Sequence, residues 1–144
     1  MAWIAIETCK QLTSTILSAK TSLDITKIVA FACGPMTDVK HRRRTERSLF
    51  QHALLLTVRE VLNSKNGTDG RITCYAQDPA YADVDKLVLE ESGISVLDHP
   101  EAFLEVDDST VVFCAAPDVP VREIVSDIAR PAMMIWDDIK VSPK

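Results

Sequence analysis

Short apolar segments alternate with longer amphipathic ones along this chain. The short segments are rich in β-branched and aromatic residues and nearly free of charge, and they occupy residues 27–33, 71–77, 94–97, 110–116 and 132–137. Segments of this kind are typical of strands buried on both faces of a sheet. Between them, apolar residues recur at helical spacing in residues 46–63, 81–93 and 119–129, and residues 99–105 can form a short helix. The pattern predicts five strands alternating with helices.

Alternation of this type predicts an α/β fold. Successive βαβ units close with right-handed crossovers, which gives a three-layer, Rossmann-like sandwich around a mostly parallel five-stranded sheet. A strand order of 3-2-1-4-5 places the switch point between the first and fourth predicted strands, where Gly34 and Pro117 would flank a crevice. We expect a single domain over residues 1–144, with residues 1–26 forming a helical segment packed on the sheet.

Two details of the predicted helices bear on the site. In the helix at 46–63, one stripe is expected to face the core and to leave Gln51 on the surface. Gly93 is expected to end the following helix in the manner of a C′ glycine. The apolar positions of that stripe are Phe50, Ala53, Leu54, Thr57, Val58, Val61 and Leu62.

Composition narrows the class of protein. The chain has 144 residues, of which 47% are hydrophobic and 26% charged, and its net charge is −5. An acidic net charge disfavours nucleic-acid binding. The sequence contains no uncharged apolar stretch that is long enough to predict a membrane span. The first residues lack the basic region of a signal peptide, so we expect an intracellular protein of the cytoplasm or the nucleus.

Four cysteines without close spacing and three scattered histidines predict buried thiols and no metal site.

Gly34 follows the first predicted strand, where a dinucleotide-binding protein carries its phosphate loop. That loop needs several glycines, whereas Gly34 stands alone and is followed by Pro35, which lacks an amide donor. The usual nicotinamide or flavin mode is therefore disfavoured. No cofactor can be named from this turn.

An arginine cluster follows the same turn. Arg42, Arg43, Arg44 and Arg47 lie in a predicted loop above the crevice, where guanidinium groups could bind phosphate or carboxylate. The alternative is a solvated basic loop without a ligand. A small anionic ligand or an acidic protein partner would each suit the cluster.

Three residues are candidates for proton transfer. Asp78 ends the second predicted strand, where an acidic residue can contact ribose, although Asp78 and Pro79 could simply form a turn. His52 lies early in a helix that faces the crevice, and the alternative is a packed, hydrogen-bonded histidine. Asp137, next to Asp138, ends the last predicted strand on the same rim, although acidic residues at a strand end are commonly turn residues.

The order of these features resembles the domain family called "sensitivity to red light reduced", the SRR-like domain. In that family a strand ends in a glycine-containing turn, and a variable loop leads to a helix with a serine, a glutamine and a leucine-rich run. A second strand ends in an acidic residue and proline, and the next helix closes on a glycine. The matching positions are Gly34, Ser48, Gln51, residues 53–56, Asp78, Pro79 and residues 87–93.

The C-terminal part, residues 113–138, is similar to the family's fungal members, and the resemblance covers about residues 27–138. It implies a Rossmann-like domain in an intracellular regulatory protein, associated with light and circadian signalling in plants and with haem metabolism or cytoskeletal phenotypes elsewhere. Many members have a more glycine-rich turn at the position of Gly34. The resemblance implies no particular reaction.

Three functional hypotheses follow. The first is a regulatory domain that binds a small anionic or nucleotide-like ligand at the carboxyl ends of the strands. The second is a small enzyme that performs acid/base chemistry in a fungal metabolic pathway. The third is a protein-interaction module that docks an acidic partner through the arginine loop.

Overall fold

The computed structural model describes residues 2–5, 14, 25–36, 40, 42–65, 72–114 and 121–136. Within these ranges the chain alternates strands and helices, as the sequence predicts. The strands are β1 (Ala2–Ala5), β2 (Lys27–Phe31), β3 (Thr73–Gln77), β4 (Ile94–Val96), β5 (Thr110–Cys114) and β6 (Met133–Trp136). The helices are α1 (Arg42–Lys65), α2 (Asp83–Glu91), α3 (Glu101–Leu104) and α4 (Val121–Ile128).

All six strands form one parallel sheet in the order β1-β6-β5-β2-β3-β4. The five predicted strands correspond to β2 through β6, and their observed order is the predicted 3-2-1-4-5. The three-layer α/β fold is therefore confirmed. The predicted number of strands needs one correction, because β1 adds a sixth strand beside β6.

The N-terminal prediction is wrong where the chain begins. Ala2 to Ala5 form a strand that pairs with Met133 to Trp136, not part of a helix. Four apolar residues are too few for periodicity to separate a strand from the first turn of a helix, and the open edge of β6 supplies the pairing. Of the rest of the predicted N-terminal helical segment, only positions 14, 25 and 26 lie within the described residues, and Ile25 and Thr26 are not helical.

The helices cover both faces of the sheet and divide its core in two. On one face, α1 and α2 contribute Leu54, Leu55, Val58, Leu62 and Leu89. On the other face, α3 and α4 contribute Ala102, Phe103, Val121 and Val125. The helix after β2, α1, covers one face of the sheet, and the helix after β5, α4, covers the other. Since β2 and β5 are adjacent, they form the switch point of the sheet.

The face that α1 buries differs from the predicted stripe. Gln51 is only 2% exposed, whereas Phe50 is 54% exposed and Ala53 is exposed as well. The buried face begins with polar residues, Ser48, Gln51 and His52, and continues with Leu55, Val58 and Leu62. Apolar periodicity could not detect a buried face whose first two turns are polar.

Gly93 confirms its predicted role at the end of α2. It has a φ of +82°, directly after the C-cap residue Ser92. An Nη1–H of Arg59 donates to the carbonyl of Ser92 at 2.8 Å, which links α1 to the end of α2. Among the described helices, none combines the length and apolar character that crossing a membrane requires.

Candidate functional site at the carboxyl ends of the strands

The loop after β2 adopts an unusual backbone conformation. Ala32 has a φ of +59° and Gly34 a φ of +83°, both in the left-handed region, which disfavours residues with a Cβ atom. A Cβ atom built on Gly34 would lie 2.3 Å from the Oγ of Ser48. Glycine at this position is therefore required twice, by its backbone conformation and by the close approach of α1.

Asp78 connects the ends of β2 and β3. Its Oδ2 accepts the backbone N–H of Gly34 at 2.8 Å, and its Oδ1 accepts the N–H of Ala80 at 2.8 Å. The second bond closes the turn that contains Pro79, which is exposed. The sequence predicted that Gly34 and Asp78 share a rim, and the structure shows them in direct contact.

Asp85 makes a similar connection one turn further on. Its Oδ1 accepts the N–H of Met36 at 2.9 Å, and its Oδ2 accepts the N–H of Ala82 at 2.8 Å. Asp85 is fully buried at the third position of α2, where a carboxylate also suits the helix dipole. The sequence analysis missed this residue, although its place three residues after the N-cap position was the available signal.

The carboxylates of Asp78 and Asp85 accept hydrogen bonds from backbone N–H groups that a phosphate would otherwise bind. In a dinucleotide-binding loop, backbone N–H groups after the first strand point at the pyrophosphate. Here the N–H groups of Gly34 and Met36 point instead at Asp78 and Asp85. This geometry agrees with the absence of a glycine-rich fingerprint in the sequence. An anion bound here would need hydrogen-bond donors other than these two N–H groups.

His52 of α1 is buried where this helix packs against the segment that precedes α2. Its Nδ1 lies 2.7 Å from the carbonyl of Ser48, and its Nε2 lies 2.9 Å from the hydroxyl of Tyr81. Because a carbonyl can only accept, Nδ1 carries the proton and Nε2 accepts from Tyr81. Both ring nitrogens therefore have protein partners.

Burial sets the charge state of this pair. It lowers the pKa of His52 below its ordinary value of 6.5, although the hydrogen bond to Ser48 opposes the change. Burial likewise raises the pKa of Tyr81 above its ordinary value. The pair is neutral at pH 7, and the geometry favours a packed histidine. Acid/base catalysis by His52 stays a prediction.

Arg42, Arg43 and Arg44 belong to a helix, so the prediction of a loop at these residues is wrong, whereas Arg47 lies in the helix predicted at 46–63. Arg42 is the first residue of α1, and the first turn contains no acidic residue. Arg42, Arg43 and Arg47 are exposed, while the side chain of Arg44 lies outside the described part of the structure. Arginine is a good helix former, and repulsion between the cations is reduced by solvent exposure.

The start of α1 extends past the sheet. Ser48 is the residue that meets Gly34, so the six preceding helical residues rise about 9 Å beyond that contact. Arg43 and Arg47 are four residues apart and lie on the same side of the helix. The exposed arginines thus lie in the helical turns that precede the contact of Ser48 with Gly34, and Asp78 and Asp85 bind the loop below that contact.

Only some of the other predicted site residues lie within the described part of the structure. Gln51 is buried in α1, between the buried residues Ser48 and His52. Asp137, Asp138 and Pro117 lie outside the described residues. Gln77, which the sequence analysis did not select, is buried at the end of β3, and its Oε1 accepts the N–H of Ala102 at 3.1 Å on the opposite face.

Three of the four cysteines are buried and free, as predicted. They are Cys33, Cys74 and Cys114; Cys9 lies outside the described residues. Burial raises the pKa of Cys74 to about 12, and it raises the pKa of Cys33 well above the ordinary value. Such thiols are poor nucleophiles. In the described ranges, no three His, Cys, Asp or Glu side chains are grouped to hold a metal ion.

Comparison with known proteins gives one match. The family model described as the SRR1 domain matches residues 8–143, which is most of the chain. No curated protein and no solved structure gives a significant match.

Proposed function

We propose that this chain, which belongs to the SRR1 domain family, is a regulatory domain that binds a small anionic or nucleotide-like ligand at the carboxyl ends of β2 and β5. One observation carries the proposal. The backbone leaves the ordinary regions at Ala32 and Gly34, directly at the switch point of the sheet. Left-handed non-glycine residues concentrate at ligand sites, and parallel sheets bind ligands at their switch points.

The exposed cations near the start of α1 support a position for the anionic group of the proposed ligand. Arg43 and Arg47 are exposed near the start of α1, in a chain whose net charge is −5. Guanidinium groups bind phosphate and carboxylate well, and the positive end of α1 adds to their field. The anionic group of the ligand would therefore contact the arginines, because the deeper amides already bind Asp78 and Asp85.

In this proposal Asp78 is a positioning residue. Its carboxylate fixes the loop that frames the crevice, through its bond to the N–H of Gly34. Ser48 is buried against Gly34 of the same loop, and Gln51 is buried one turn further along α1. The regulatory role and a location in the cytoplasm or the nucleus follow from family membership and belong to the proposal.

A thermal-shift experiment tests the proposal. The full chain is heated with adenine and guanine nucleotides, S-adenosylmethionine, haem and inorganic phosphate, each in a separate series. A ligand at about 100 times its dissociation constant stabilises a protein by about 2.7 kcal/mol, which raises the melting temperature of a domain of this size by several degrees. We expect a dose-dependent rise with at least one anionic compound.

Two variants with the same change of charge locate the site. Arg47→Gln removes a cation near the start of α1, whereas Arg130→Gln removes one from the connection between α4 and the amino end of β6. We expect Arg47→Gln to reduce the ligand-induced shift and Arg130→Gln to leave it unchanged. Equal shifts in both variants, or no shift with any compound in the wild type, would overturn the proposal.

A further inference from the structure

The outward face of α1 carries apolar residues next to a basic end. Leu49 is 51% exposed and Phe50 is 54% exposed, both in the turn that follows the arginines. Arg42 and Arg43 are exposed at the first two positions of the helix. Arg42 also lies 3.6 Å from Glu46, but both side chains are largely exposed, so this pair is weak.

The outward face of α2 has the opposite charge. Val84, Leu87 and Val88 are 56%, 61% and 42% exposed, so three residues of this nine-residue helix are apolar and exposed. Asp83, Glu90 and Glu91 are exposed around them, and the last turn contains no basic residue. The exposed surface of α2 is therefore both acidic and apolar.

Each helix carries charges that its own dipole disfavours. Cations are unfavourable at a helix N-terminus and anions at a C-terminus. The first turn of α1 contains arginines and no acid, and Glu90 and Glu91 lie in the last turn of α2, with no base. Arg59 reaches the carbonyl of Ser92 but leaves both glutamates exposed. The two helix ends are therefore complementary to each other.

The two surfaces belong to one layer of the molecule. Both helices pack on the same face of the sheet, and bonds from Arg59 to Ser92 and from His52 to Tyr81 hold them side by side. A two-fold axis across this layer would bring the start of α1 near the end of α2 of a second copy, and the reciprocal contact would form by symmetry.

We infer that the outward surface of α1 and α2 is a dimer interface, and that its occupant is a second copy of this chain. Phe50 and Leu49 of one copy pack against Leu87 and its apolar neighbours in the other, with Arg42 and Arg43 opposite Glu90 and Glu91. A standard interface covers about a tenth of the surface of a small protein. The interface shares Arg43 with the proposed ligand site, but Arg47, whose replacement tests that site, takes no part in it, so the two proposals can be tested separately.

Sedimentation velocity of the full chain at several micromolar concentrations tests the inference. We expect a concentration-dependent monomer–dimer equilibrium. Phe50→Glu and Leu87→Glu should each raise the dissociation constant more than about tenfold, since each change occurs twice in a symmetric interface. Leu104→Glu, at a residue 76% exposed on the opposite face, is the matched control and should leave association unchanged.

A charge exchange identifies the partner surface. Arg42→Glu with Arg43→Glu should weaken the dimer, and so should Glu90→Arg with Glu91→Arg. The chain with all four changes should associate about as well as the wild type, because each contact is restored with its signs reversed. Retained circular dichroism confirms that these exposed changes leave the fold intact.

Two results would overturn the inference. The first is a wild-type chain that stays monomeric at the highest concentration, which would leave this surface to a different partner. The second is a dimer that is indifferent to Phe50→Glu and Leu87→Glu, because the interface would then lie elsewhere. Failure of the four-fold charge exchange, with both double variants weakened, would contradict the pairing of α1 with α2.

Discussion

Gly34 and Ser48 meet where the loop after β2 lies under α1, and there is no space between them for a side chain. A Cβ atom on Gly34 would lie 2.3 Å from the Oγ of Ser48 and 3.4 Å from its Cβ. Real Cβ atoms are not found as close as the first distance. The positive φ of Gly34, +83°, adds an independent requirement for glycine.

Replacement of Gly34 by alanine should therefore destabilise the protein. The left-handed conformation alone costs a residue with a Cβ atom about 1–2 kcal/mol, and the overlap with Ser48 adds to that figure. We expect a loss of about 3 kcal/mol in the free energy of unfolding, measured by urea denaturation.

A double-mutant cycle separates the two causes. Ser48→Ala removes the Oγ atom, so Gly34→Ala should cost less in that background and retain only the conformational part. Additive costs in the cycle would contradict the steric explanation.

The buried pair of His52 and Tyr81 should make stability depend on pH. The pKa of His52 is lowered by burial in the folded state, so below the ordinary value of 6.5 the unfolded chain binds a proton that the folded chain resists. Stability from His52 is complete above pH 6.5 and declines as the pH falls from there towards the folded pKa. In His52→Gln the unfolding free energy should fall less steeply between about pH 7 and about pH 5. Equal slopes would show that His52 does not cause the dependence.

Tyr81→Phe should leave the Nε2 of His52 without the donor it has in the described structure. A buried polar atom without its hydrogen bond costs about 1–3 kcal/mol. The matched control is Tyr75→Phe, which removes the same atom from a less buried tyrosine in β3. Chemical denaturation of both variants should show the larger loss at Tyr81; a larger loss at Tyr75 would contradict this role.

Asp78→Asn should weaken the connection between β2 and β3. Both carboxylate oxygens accept backbone N–H groups, and an asparagine presents an NH₂ group to one of them. Hydrogen bonds to a charged group contribute about 1.5–3 kcal/mol, so a loss of that size is expected in the free energy of unfolding. Asp108→Asn, at an exposed turn residue, should cost little. Similar losses in the two variants would argue against the connection.

The arrangement of the candidate site could be predicted only in part. The place of Gly34 and Asp78 at a common rim follows from the parallel order of the strands, which the sequence indicates. Their direct bond does not, because the two residues are 44 positions apart and the carboxylate could equally have faced solvent. Asp85 and Tyr81 were missed, since nothing in a helix start or a turn shows which distant amide or imidazole it will meet.

The sequence by itself determined the alternation of strands and helices, the parallel direction of the strands and the glycine that ends α2. These features depend on local periodicity and on the handedness of crossovers, which act within one βαβ unit. Only the tertiary structure decided that Ala2 to Ala5 pair with β6, that Gln51 is buried while Phe50 is exposed, and that the arginines begin a helix. Those outcomes depend on an open strand edge and on contacts with Gly34 and Tyr81, which bring together residues that are far apart along the chain.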